Sequence, residues 1–426
     1  MKTSFLTAVC TVMSLAAAPL NANAQSADTC MGVGEAMQLS ASNDPGVATN
    51  QARNREAIAS VDEARALFKP QISAFARSGL GDVGLIDSAI QNQIGLSASQ
   101  RLFDFGDAKL ARQSAQFSVA ATNQDVRLAR QQAAQRATSA MLEMAQAQEA
   151  IELTRDREAF FRDQLEAVQA ALENGGATVS ERAEVAAQVA NAQAFFLDLQ
   201  EQRDNAQTVL TIETGSIAVS CERPLIEAEF TVIAEMPETV DVLLENALND
   251  APELQGLEAR ARSLSAQSER QRRERLPIIS VVGSAAYSSQ GSNGNFELQE
   301  RIGLDVSVPI FTGDAIRARG RGASAREAAA KSEVAQRRRE LEQDVRTTYR
   351  RVLSLRAQEI AAQEFEDRSA ELLEFAEIEY ASGTRTLPDL IEVRIEYEEA
   401  ALRRVGVKFA RYNQMLQLMS LSGKVP

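Results

Sequence analysis

The sequence holds no histidine and no tryptophan, and only three cysteines and five tyrosines among 426 residues. Without histidine there is no His-based catalytic triad and no common Cys/His zinc site. Carboxylates, lysines and hydroxyls remain for chemistry, and they form no constellation of nucleophile, base and oxyanion donors at a meaningful spacing. No catalytic residue, cofactor or metal is therefore expected. Basic excess is also missing: 59 Asp and Glu against 45 Lys and Arg leave a formal charge of −14. A nucleic-acid partner, which needs clustered cations to neutralise phosphates, is not expected.

Long apolar runs are scarce too. One lies at the N-terminus, where Lys2 precedes a stretch of small and apolar residues from Phe5 to Leu20, and Ala22-Asn23-Ala24 offers a cleavage site before Gln25. This reads as a secretory signal peptide over residues 1–24. Neither Cys10 nor Cys30 stands in a lipoprotein cleavage context, so no lipid anchor is expected. Beyond the leader no stretch is apolar enough for a membrane-spanning helix.

What the chain does have is a repeat. Pro70 and Pro277 lie 207 residues apart, Ile94-Gly95-Leu96 and Ile302-Gly303-Leu304 208, Phe103 and Phe311 208, Gly176 and Gly383 207, and Gly215 and Gly423 208. Spacing this constant implies a duplicated unit. The expected division is a first repeat over 25–215, a linker over 216–237 and a second repeat over 238–426.

Each unit reads helix, strand, loop, strand, very long helix, tight turn, shorter helix. Ile302, Leu304, Val306, Val308 and Ile310 alternate with Gly303, Asp305 and Ser307, as in a strand with one apolar face. Strands are predicted near 70–79, 93–104, 277–288 and 299–312, with exposed loops over Ser78–Asn92 and Ser288–Gln299. From about Asp107 to Glu173 and from about Asp314 to Ala381 the sequence is rich in Ala, Gln, Glu and Arg and free of proline, which favours unbroken helix. At about 1.5 Å per residue each run would reach on the order of 100 Å. Val334, Leu341, Val345 and Val352 give the narrow stripe of coiled-coil pairing. Each run stops at a glycine turn, near 175–178 and 382–386, followed by Thr178-x-x-Glu181 or Thr386-x-x-Asp389 as a capping pattern. Half-length helices over Gly34–Phe68 and Pro237–Arg275 would complete the columns.

Four strands of around ten residues suit a bilayer-crossing β-structure but cannot close a barrel. Open edges in lipid leave backbone groups unpaired, so the barrel would be shared between chains. The expected fold class is mainly α with a β-barrel part, each repeat giving two transmembrane strands and long coiled-coil helices to a trimeric twelve-stranded barrel and a periplasmic α-helical cylinder.

The tip Tyr380-Ala381-Ser382-Gly383-Thr384-Arg385-Thr386-Leu387-Pro388-Asp389-Leu390-Ile391-Glu392 is similar to the Tyr-x-x-Gly-Thr-Arg-Thr-x-x-Asp-x-x-Asp of TolC-family outer-membrane channel proteins, with Glu392 in place of the last Asp. Leu96–Gly106 and Leu304–Gly313 resemble the family's strand-to-helix signature, and the resemblance covers essentially the whole mature chain. It implies an outer-membrane exit duct for a tripartite efflux pump or a type I secretion system. The implied partners are two further copies in a homotrimer, a periplasmic membrane-fusion adaptor, an inner-membrane transporter (ABC or proton-driven) and outer-membrane lipid. It also implies that the tips close the entrance like an iris. Tyr380 and Arg385 would join the bonds that hold it shut, Asp389 and Glu392 would line an acidic ring, and the turns at Gly175, Gly176, Gly383 and Thr384 would meet the adaptor. The facing tip departs from the pattern, with Glu181-Arg182 where the family has Thr-Asp, so Arg385 either bonds Glu181 or is repelled by Arg182. A pore-less periplasmic coiled-coil scaffold is the alternative. In an oxidising compartment, Cys30 at the foot of a rising helix and Cys221 just past the top of another would sit at one height, and a structural disulfide is expected.

Overall fold

A computed structural model describes residues 31–82, 88–216, 239–289 and 296–423. The expected leader, the interior of the linker, and Cys30 with Cys221 lie outside the described residues.

The first repeat runs α1 (Val33–Asn43), α2 (Pro45–Ala66), β1 (Gln71–Asp82), β2 (Ser88–Phe103), α3 (Asp107–Glu173) and α4 (Val179–Thr214). The second runs α5 (Val240–Asp250), α6 (Pro252–Arg273), β3 (Ile278–Ser289), β4 (Phe296–Ser307), α7 (Ala315–Ala381) and α8 (Leu387–Leu421). The two long helices, α3 and α7, have 67 residues each and stop where the glycine turns were expected.

Two expectations need correction. The half-length segments are not continuous helices: each breaks before a proline at its second helix's first position, Pro45 and Pro252. Proline lacks the N–H that would bond back into the preceding turn, so α1 and α5 end just before it, whereas the helix that follows loses nothing. The strands also intrude on the expected loops, with β1 reaching Asp82, β2 starting at Ser88 and β3 reaching Ser289. Their Ser, Gly and Asn residues resemble loop composition, yet they pair across strands: Gly79 lies opposite Gln91 and Asp82 opposite Ser88, and Ser78 Oγ donates to Asn92 Oδ1 at 2.7 Å. At the other end β4 stops at Ser307, short of Val308 and Ile310, because β3 begins opposite it at Ile278 and offers no partner beyond.

The strands form one antiparallel meander in the order β1-β2-β3-β4, so among the described residues β1 and β4 are free edges. Register separates the faces. Ala76, Ile94, Tyr287 and Leu298 align in one row, and Ile72, Ala98, Gly283 and Ile302 in another of the same face. The opposite face carries Ser73, Ser97, Ser284 and Arg301 in one row. The apolar face is bare: Ile302 is 84% exposed, and Ile72, Leu304 and Val306 are also largely exposed.

Below the sheet the helices stand side by side, α2, α3, α6 and α7 in the sheet-proximal half and α4, α3, α8 and α7 in the tip-proximal half. The apolar residues are spent on seams. The largest joins α1, α3, α4 and α8 through Met141, Leu142, Leu210, Phe409 and Leu416, where Ala133, Ala134, Ala137 and Ala140 of α3 are fully buried and let the helices approach closely. The predicted stripe on α7 works as expected, with Leu341 and Val345 buried against Leu243, Ala247 and Leu254. Near the tips Phe161, fully buried among Val168, Val185 and Ile391, contributes on the order of 2–3 kcal/mol by leaving water.

Candidate functional site: the two helix tips and the sheet

The tips are built by backbone chemistry. Gly175 and Gly383 adopt φ of 72° and 78°, the left-handed conformation that ends a helix cheaply only at glycine. Gly176 N–H donates to Ala171 O at 2.8 Å, and Thr384 N–H to Glu379 O at 2.9 Å, taking up the last carbonyls of α3 and α7. Thr384 Oγ1 adds a bond to Glu379 O at 3.0 Å and meets Ser382 Oγ at 2.9 Å.

The helices leaving the tips are capped by the expected threonines. Thr178 Oγ1 accepts from Glu181 N–H at 3.2 Å while Glu181 Oε2 accepts from Thr178 N–H at 2.6 Å. These bonds hold the Glu181 carboxyl below its ordinary pKa, the backbone donor contributing most. On the other tip Thr386 Oγ1 donates to Asp389 Oδ2 at 2.6 Å, and it lies 3.4 Å from Asp389 N.

Within the chain, Arg385 does not bond Glu181, which is engaged in its own cap. Its Nε lies 3.1 Å from Glu379 Oε2, at the end of its own hairpin. Its Nη1 is buried and has no hydrogen-bond partner among the described residues. Tyr380 packs beside Leu373, Ala376 and Leu390. Arg182, Asp389 and Glu392 are exposed. Of the acidic run on α7, Glu371 pairs with Arg368, Glu377 with Arg394 and Glu379 with Arg385. Arg337 pairs with Glu340 and Asp344 of its own helix, but also with Glu253 of α6, and Arg338 reaches Glu258 of α6, so the basic run clamps two helices rather than one.

Behind the tips lies a feature the sequence reading missed. Arg394 Nε donates to Glu398 Oε1 at 2.9 Å, and Arg157 Nε of α3 sits 3.2 Å from Glu398 Oε2, linking α8 to α3. Burial pushes the Glu398 carboxyl above its ordinary pKa even though both cations oppose it. Higher up, Lys408 and Arg404 of α8 converge on buried Glu149 of α3. The only sequence signal was charge at Glu398 and Lys408, among apolar residues such as Ile395, Val405 and Phe409. Among the described residues no group of three acidic or thiol side chains could hold a metal ion.

A sheet with one bare apolar face and one polar face suits lipid on one side and water on the other. Its strands of 12 to 16 residues, at about 3.3 Å per residue and tilted about 45°, span roughly the ~25–30 Å of a bilayer's apolar layer. With columns of about 100 Å ending in capped tips, this is the architecture of an outer-membrane protein with a long helical periplasmic portion. The chain belongs to the outer membrane efflux protein family, which matches residues 36–216 and 243–424, one segment in each repeat.

The chain is 25% identical over 248 residues to the alkaline protease secretion protein AprF of Pseudomonas aeruginosa, a match covering 58% of this chain and 52% of that protein. The chain thus matches about half the length of this curated relative. Its fold is that of the outer membrane protein VceC from Vibrio cholerae, with a TM-score of 0.77 at 17% identity over 92% of this chain and 96% of that one. The open state of the Neisseria gonorrhoeae MtrE outer membrane channel gives 0.75 at 17% identity over 92% and 89%. The Campylobacter jejuni CmeC outer membrane channel gives 0.77 at 15% identity over 92% and 85%.

Proposed function

We propose that the protein is the exit duct of a secretion or efflux assembly, passing cargo across the periplasm and the outer membrane. The observation that carries this reading is the two-faced sheet, open at both edges. Unpaired edge groups in lipid cost several kcal/mol each, so β4 of one copy must pair with β1 of the next. Three copies give an even-stranded closed barrel and a matching helical tube. A second set of bare edges supports the same closure: Ile360, Phe375 and Ile378 on α7, and Leu197 and Ile212 on α4, are exposed in the single chain. A pore-less scaffold has no use for a sheet of this kind.

The tips act as the periplasmic gate. Arg385, Tyr380, Asp389 and Glu392 with Glu181 and Arg182 of the other hairpin surround the entrance, and the turns at Gly175, Gly176, Gly383 and Thr384 are the contact for a membrane-fusion adaptor that links the duct to an inner-membrane transporter. A constriction held by a few charge pairs has two discrete states, which an adaptor can bias. The named role of AprF in alkaline protease secretion favours polypeptide cargo. Comparing culture-supernatant proteins from cells with and without the gene tests this. Loss of one or a few secreted proteins supports secretion, and an unchanged set assigns the duct to small molecules.

A further inference from the structure

The sheet-proximal half of the columns contains a groove of about 980 Å³ lined by α2, α3, α6 and α7 together. α2 and α7 stand at the two ends of this four-helix row, so a groove that both line lies on the row's concave side. In a closed tube that side is the inner wall. The recess exists because its wall is made of small residues. On α7, Arg319, Gly322 and Arg326 fall at i, i+3 and i+7, one helix face, and the missing side chain at Gly322 opens the space between two guanidiniums.

Charge in the groove runs against the chain's acidic balance. Arg53, Arg270, Arg319 and Arg326 line it, with Glu56 as its one acidic residue. Arg270 is engaged by Asp107 at 2.9 Å and Arg319 by Glu274 at 2.5 Å. Arg53 and Arg326 meet no carboxylate among the described residues. Two guanidiniums are thus left for an outside partner, beside the Ser60 hydroxyl and Gln271, whose Oε1 has no partner among the described residues, whereas Ser114, Ser118 and Gln267 are bonded into a network with Ser263.

We infer that this groove is an anion-recognising station on the duct's inner wall, and that its partner is an acidic segment of polypeptide cargo in transit. The inference rests on the duct reading above. Guanidinium forks match carboxylates bidentately, and Ser60 and Gln271 at the groove wall can meet the backbone of an extended chain. A groove open along its length holds such a segment weakly, as passage requires.

The test uses the full-length protein in detergent and a fluorescein-labelled oligoglutamate followed by anisotropy at low salt. R53Q/R326Q should weaken binding by at least about tenfold, the loss of two charge-assisted contacts. R53K/R326K, which keeps the charge but loses the bidentate fork, should bind more weakly than wild type and more tightly than R53Q/R326Q. R351Q/R356Q removes the same charge from exposed positions lower on α7 and should leave binding unchanged. Equal weakening by the two glutamine pairs, or by neither, overturns the inference. So does complete displacement of the peptide by inorganic phosphate at matched charge, which would make the groove a small-anion site. Wild-type conductance in a planar bilayer is measured separately. Its absence overturns the duct reading, while the anisotropy series decides the groove.

Discussion

Lys408 Nζ donates to Glu149 Oε2 at 2.5 Å, and both side chains are buried. The bond ties α8 to α3, and Arg404, one turn earlier, places Nη1 3.4 Å from Glu149 Oε1 while its Nε bonds Glu366 of α7. Three helices are therefore joined, with Arg404 of α8 bridging the carboxylates of Glu149 on α3 and Glu366 on α7. Removing one partner of such a pair leaves a buried charge under-compensated, whereas replacing both with apolar groups does not. K408M is expected to destabilise the helical part by about 3 kcal/mol, and K408M/E149L to recover much of that loss. Denaturant unfolding followed by circular dichroism in detergent reads both, and a K408M cost no larger than that of an exposed lysine change would rule out a structural clamp.

The tip glycines differ in what they tolerate. Gly175 has φ of 72°, and its neighbour Gly176 has ordinary φ with its nearest contact from an added Cβ at 3.5 Å, to Ala171 O. A β-branched residue in the left-handed region costs about 1–2 kcal/mol, so G175V should fray the α3–α4 turn. G176A should be close to neutral. Hydrogen exchange at the amides of 171–181 distinguishes them, and equal protection in both variants would contradict the assignment of strain to Gly175.

Much of this architecture could be read from the sequence because its signals are local. Proline-free stretches gave the long helices, Gly175 and Gly383 their ends, and Thr178 and Thr386 the starts of the next helices. Pro45 and Pro252 escaped notice because proline at a helix's first turn looks compatible with helix on both sides. The strand ends escaped because serine and glycine on a polar face mimic a loop. The Glu149–Lys408 contact was invisible for another reason: the partners are 259 residues apart, and a lysine beside Phe409 gives no hint of which column faces it.

Glu327 predicts a pH effect. Lys331 Nζ at 2.7 Å and Ser265 Oγ at 3.0 Å donate to its Oε1, and such donors, Lys331 foremost, hold the carboxyl down to about 2. A folded-state pKa below the unfolded value contributes stability at neutral pH that disappears as pH falls from the unfolded value, near 4.5, toward 2. Lys331 is largely exposed, so the contribution stays under about 1 kcal/mol. E327Q should lower stability at pH 7 and match wild type near pH 2. A stability difference that does not shrink over that interval would count against the bond.

Arg385 gives the functional prediction. Its Nε is satisfied by Glu379, but its buried Nη1 has no acceptor among the described residues. Burying an unpaired donor costs about 1–3 kcal/mol, a cost that an acceptor on an adjoining tip would remove. On the gate reading proposed above, the arginine would hold neighbouring tips together in the assembled duct, and losing it would free them. R385A should raise single-channel conductance in a planar bilayer, and R385K should not restore the closed state, because an ammonium cannot serve two acceptors through a planar fork. Unchanged conductance in R385A would remove Arg385 from the gate and leave it as an ordinary end-of-helix ion pair with Glu379.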